Sequence, residues 1–73
     1  MEICEIVRAL REDNDFTQKQ IAETLGIKQQ QYSIYERGEQ ELPTRHIKKL
    51  ALFYGISADY ILNLPSNLKY PKR

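Results

Sequence analysis

The chain has 73 residues, 41% hydrophobic and 29% charged, with a formal net charge of +1. That length suits one small domain whose core is marginal by itself, so a dimer or very regular helix packing is expected. The near-neutral balance excludes nucleic-acid binding through a strong global field, and a single cysteine and a single histidine exclude an internal disulfide and a closed structural zinc site.

No apolar run approaches the length that spans a bilayer, and Glu2 and Glu5 interrupt Ile3, Ile6 and Val7 in a way that a signal peptide does not. A globular, cytoplasmic protein without a membrane segment is expected. Ile3, Ile6, Val7 and Leu10 recur at three- and four-residue spacing, which predicts a first amphipathic helix ending near Asn14. Thr17 precedes Gln20 by three residues, a capping-box spacing that starts a second helix at about Gln18. This helix turns Ile21, Ala22 and Leu25 inward and stops at Gly26, which can adopt a left-handed conformation without steric cost.

A third helix is predicted from about Gln29 to Arg37, burying Tyr32 and Tyr35 and closed by Gly38. Residues 39–43 read as a polar loop. Thr44 is the expected cap of a fourth helix carrying Ile47, Leu50, Ala51 and Tyr54 and ended by Gly55. Ser57 caps a short fifth helix through Ile61 and Leu62, and Pro65 and Pro71 bracket a tail with Lys69, Lys72 and Arg73. Five short helices with tight connections make an all-α domain over residues 1–64, followed by a basic, poorly ordered tail over 65–73. Cys4 is expected to fill space at the core boundary, and His46, beside Arg45, to sit on the helix surface.

Residues 18–37 are the most informative block. Ile21, Leu25, Ile27, Tyr32 and Tyr35 are spaced as two helices crossing steeply over a short turn require. Ala22 stands where those helices come closest, Gly26 lets the backbone reverse, and Ile27 plugs the turn into the core. Glu36, near a helix C-terminus, opposes the helix dipole, so a cationic partner would explain its presence, with a solvated charge the alternative.

The stretch VRALREDNDFTQKQIAETLGIKQQQYSIYERG resembles the Xre/Cro family of phage-repressor-like helix-turn-helix domains, and the likeness continues from Leu42 to Leu64. Thr17, Gln18, Ala22, Leu25, Gly26, Glu36, Arg37 and Gly38 stand at the family's most recognisable positions. The resemblance implies a compact five-helix bundle of the lambda-repressor-like type, with the helix-turn-helix formed by helices two and three. It also implies a transcription regulator, by family default a repressor, that binds operator DNA as a homodimer. Within the domain it implies an ion pair between Arg11 and Glu36, and a Gln18 that steadies Gln29.

A recognition helix presents its amino-terminal turn to base edges in the major groove. Gln29, Gln30 and Gln31 occupy that turn here, and a glutamine amide can bond bidentately to adenine. Ile34 lies one turn after Gln30, placed to meet a thymine methyl. Ser33 can reach phosphate or base or remain solvated. Thr17, Gln18, Lys19, Lys28, Arg37, Thr44 and Arg45 are the expected phosphate contacts, Gln18 through the positive end of its helix dipole.

No constellation supports catalysis, and no cofactor or metal is expected. Ser33, Ser57 and Ser66 lack a local base, and no glycine-rich phosphate loop is present. The competing reading is a protein-interaction module, such as an antitoxin or anti-repressor, that keeps the fold. A partner-binding third helix would present large apolar anchors, where this one presents glutamines. Ile56, Ile61, Leu62 and Leu64 are candidates for a dimer interface, with completion of the monomer core the alternative role for Ile56 and Ile61. Leu68 and Tyr70 either cover a partner or belong to a free tail.

Overall fold

The computed structural model describes residues 2–65, 67–69 and 71. Met1, Ser66, Tyr70, Lys72 and Arg73 lie outside the described residues, and with them the expectations for Ser66, Tyr70 and the last two basic side chains. The chain forms α1 (Ile3–Asp13), α2 (Gln18–Leu25), α3 (Gln29–Glu36), α4 (Thr44–Tyr54) and α5 (Ala58–Ile61). Among the described residues no helix is long and apolar enough to cross a membrane.

Local chemistry sets most of the boundaries. At α1 the Glu2 amide donates to the Glu5 carboxylate at 3.0 Å, and the helix ends through Asp15, a non-glycine residue at φ 58°. Asp15 turns the chain so that the Phe16 amide reaches back to the Arg11 carbonyl at 3.1 Å, meeting one of the orphan acceptors that every helix end leaves. At α2 both halves of the capping box are formed: the Gln20 amide donates to the Thr17 hydroxyl at 3.1 Å, and the Thr17 amide donates to the Gln20 side chain at 2.7 Å. Ser57 caps α5 by accepting from the Asp59 amide at 3.2 Å.

The start of α4 differs from expectation by one residue. Pro43, at φ −60° and ψ 148°, is the cap, and Thr44 is the first helical residue with no capping role. Proline already holds the extended geometry a cap position needs, and its carbonyl accepts from the His46 and Ile47 amides at 2.9 and 3.1 Å.

The core joins Val7 of α1, Ile21, Ala22 and Leu25 of α2, Tyr32 of α3, Ile47, Leu50 and Ala51 of α4, and Ile61 of α5. Tyr32 and Tyr35 are buried as expected, and Ile27 and Ile56 pack against the same cluster. Cys4 is half-buried at the core boundary beside Gly38, whose φ is 75°. A methyl group at Gly38 would meet the Cys4 sulfur at 3.1 Å, so that stop position suits glycine twice over.

His46 corrects the sequence reading: it is buried, only 3% exposed. Its position explains why, since 46, 47, 50, 51 and 54 form one stripe of α4 turned toward the core. The ring lies against Tyr35 with centroids 5.9 Å apart, and among the described residues neither ring nitrogen has a hydrogen-bond partner. Burial first, then the nearby Arg45 and Lys49, hold the imidazole below its ordinary value of 6.5. The unfolded chain therefore takes up a proton that the folded chain refuses, and stability falls as pH falls through the window between 6.5 and the depressed folded value. Thermal melting of the wild type is expected to lose midpoint temperature on acidification from about pH 7 into that window, and a His46→Leu variant to show a flatter profile over it.

Candidate nucleic-acid interface

The capping box sets the entry of α2, and Gly26, at φ 73°, turns the chain within a few residues into α3. The Ile27 amide reaches back to the Ala22 carbonyl at 3.0 Å, and Ala22 itself is only 1% exposed. A larger side chain at Ala22 would therefore separate the two helices. These contacts leave one face of α3 buried through Tyr32, Tyr35 and Glu36, while Gln29 and Gln30 stay exposed at its start.

Glu36 is the fastening point. It is 7% exposed, and Arg11 grips it with two bonds, Nε to Oε2 at 2.6 Å and Nη2 to Oε1 at 3.1 Å. The remaining arm of Arg11 donates to the Phe16 carbonyl at 2.9 Å, and the Gln18 amide donates to Glu36 Oε1 at 3.1 Å. The Arg11–Glu36 pair thus joins α1, the loop before α2, α2 and α3. Burial acts to raise the Glu36 carboxyl, but the donors Arg11 and Gln18, with the Tyr32 hydroxyl close by, outweigh it and hold the group below its usual range. The Tyr32 hydroxyl is buried beside the carboxylate without a well-formed hydrogen bond, and burial together with that negative neighbour keeps its proton firmly bound.

The structure brings Gln18, Gln29, Gln30, Ser33, Ile34 and Arg37 together around one shallow concavity. Ile34 is half-buried there, and Ser33 accepts from Arg37 Nη1 at 2.8 Å. Gln31 is not among these residues: it is half-buried, and its amide donates to the Gln40 side chain at 3.1 Å. Lys19, Lys28, Thr44 and Arg45 are all exposed, the first two on and just after α2 and the last two in the first turn of α4. The Thr17 hydroxyl serves as the cap of α2. The start of α3, by contrast, has Lys28 at its cap position with no side-chain hydrogen bond, so its first-turn amides have no capping side chain.

The link from Gln18 to Glu36 was not foreseen. Its place at the positive end of α2 points Gln18 to phosphate, and the family resemblance points it to Gln29. Its placement in the first turn of α2, set by the Thr17–Gln20 box, was the available signal that it faces the end of α3.

Comparison with known proteins converges on the same elements. A family model described as helix-turn-helix matches residues 7–61, from α1 to the end of α5. An uncharacterized HTH-type transcriptional regulator, YobD of Bacillus subtilis (strain 168), is 38% identical over 61 residues, covering 84% of this chain and 54% of that protein. The cryptic phage CTXphi transcriptional repressor RstR of Vibrio cholerae is 36% identical over 50 residues, covering 68% of this chain and 45% of that protein. The chain spans about half the length of these curated relatives.

Proposed function

Because this chain belongs to the helix-turn-helix family, in its Xre/Cro-like branch, we propose that it is a sequence-specific regulator of transcription, acting as a cytoplasmic repressor that reads the major groove of duplex DNA with α3. The observation that carries this reading is the two-faced α3. Its inner face is locked to the scaffold through Tyr32, Tyr35 and Glu36, while its uncapped first turn presents Gln29 and Gln30 beside Ile34 and Arg37.

In this reading Gln29 and Gln30 bond adenine edges, Ile34 contacts a thymine methyl, and Ser33 adjusts the flank, while Gln31 is tied to Gln40 and takes no part. Thr17, Gln18, Lys19, Lys28, Arg37, Thr44 and Arg45 hold the backbone on either side and set register without reading sequence. Operator palindromy follows if two copies bind together. Ile61 is fully buried in the monomer core, whereas Leu62 and Leu64 remain 36% and 47% exposed and Tyr60 60% exposed, which leaves apolar surface around α5 for a second copy.

The test is selection from a randomised duplex library at fixed, moderate salt, followed by sedimentation of the protein on the winning duplex. Enrichment of a palindrome bound by two chains is the expected result. A library that emerges without enrichment would remove sequence-specific reading, and one chain per enriched site would remove the dimer.

A further inference from the structure

A second concavity adjoins the base-reading surface, lined by Arg8, Arg11, Gln18, Ser33, Glu36 and Arg37, and it shares Gln18, Ser33 and Arg37 with the first. Its single carboxylate, Glu36, is already matched by Arg11 and Gln18. The two outer cations are different: the Arg8 and Arg37 side chains are 63% and 56% exposed. Each is engaged by a carboxylate from its own stretch of chain. Arg8 Nε contacts Glu12 Oε1 at 3.2 Å one turn along α1, and Arg37 Nε pairs with Glu39 just past the end of α3.

Resting on the DNA-binding reading above, we propose that this concavity seats the DNA backbone, that Arg8 is one of its phosphate ligands, and that Glu12 and Glu39 are stand-ins that DNA displaces. Exposed ion pairs of this kind are weak, because solvent screens the attraction and two flexible side chains must be ordered to make it. A guanidinium binds phosphate through paired hydrogen bonds, and duplex DNA adds the release of condensed counterions. Exchange of carboxylate for phosphate is therefore favourable. Each pair must nevertheless be broken before its arginine can take a phosphate, whichever sequence is bound, so the two carboxylates lower affinity for every sequence by a similar factor. On a chain whose net charge is only +1, that brake keeps non-specific binding low and leaves base contacts to decide where the protein rests.

The experiment titrates a library-selected duplex and an unrelated duplex across several salt concentrations, using wild type, Arg8→Ala, Glu12→Gln, Glu39→Gln and the Arg8→Ala, Glu12→Gln double variant. Thermal melting checks that these surface changes leave the fold intact. Arg8→Ala is expected to weaken both duplexes by a similar factor and to reduce the slope of log affinity against log salt by about 0.9. Glu12→Gln and Glu39→Gln are each expected to tighten both duplexes by roughly two- to fivefold. The gain from Glu12→Gln should vanish once Arg8 is absent. Wild-type affinity and salt slope in Arg8→Ala overturn the proposal, as does a Glu12→Gln gain that persists without Arg8, since net charge alone would then explain it. If the wild type binds no duplex at all, the DNA-binding reading fails too. If it binds normally while Arg8 proves silent, only the backbone seat is lost.

Discussion

Arg11→Ala is expected to lower the unfolding free energy by about 3 to 5 kcal/mol, the usual cost of removing one partner from a buried ion pair. The magnitude follows from what stays behind. Glu36, only 7% exposed, would keep a single donor in Gln18, and the Phe16 carbonyl would lose the arm of Arg11 that now reaches it. A domain of this length has a total stability of roughly 4 to 11 kcal/mol, so the variant should lose a large share of it. Urea denaturation followed by helical signal measures the effect. The Arg11→Ala, Glu36→Leu double variant should recover more than half of the loss, because an apolar replacement leaves no buried charge to satisfy. A loss under about 1 kcal/mol in the single variant would place the pair among weak surface contacts and remove its role as a fastening.

The same pair has an acid signature. The Glu36 carboxyl is held below its ordinary range in the folded chain, so its stabilising contribution is present above the unfolded value and disappears as pH falls through the lower, folded one. Arg11→Ala removes the strongest influence that lowers the group, so the part of the acid loss that belongs to Glu36 should shrink.

The second large effect is on binding. Gln29→Ala with Gln30→Ala is expected to weaken affinity for the selected duplex by about 2 to 6 kcal/mol, at 1 to 3 for each bidentate contact. Binding to unrelated duplexes and its dependence on salt should be unchanged, since the phosphate contacts remain. Both glutamines are exposed, so the melting midpoint should also stay where it was. Undiminished binding of the selected duplex by the double variant would show that α3 does not read bases, and a protein partner would become the reading to pursue.

Features written in adjacent residues were legible in the sequence. Thr17 and Gln20 announce the start of α2, and Gly26, Gly38 and Gly55 mark three helix ends, because caps and left-handed stops depend on residues within one turn. The stop of α1 carries no such mark: Asp15 takes a positive φ that glycine would ordinarily supply, and polarity alone indicated the end near Asn14. Arg11 and Glu36 stand 25 residues apart, and no periodicity links them; family resemblance suggested the pair, and the coordinates supply its geometry. His46 was misjudged from its basic neighbour, although its register with Leu50 already placed it on the inner stripe. Among the candidate base readers, Gln31 was grouped with Gln29 and Gln30 by adjacency, yet a step of one residue rotates a helix by about 100° and carries this amide across to Gln40.

The division of α3 into a locked face and an exposed first turn has a consequence for how such a domain can diverge. Substitutions at Gln29 and Gln30 meet no core packing and no buried pair, so under the proposed reading they would alter preference for DNA without drawing on a small stability reserve. Substitutions at Tyr32, Tyr35 or Glu36 would draw on it heavily. Descendants of this chain can therefore change which sites they recognise by ordinary single-residue drift on one side of one helix, while the other side keeps them folded long enough for selection to act.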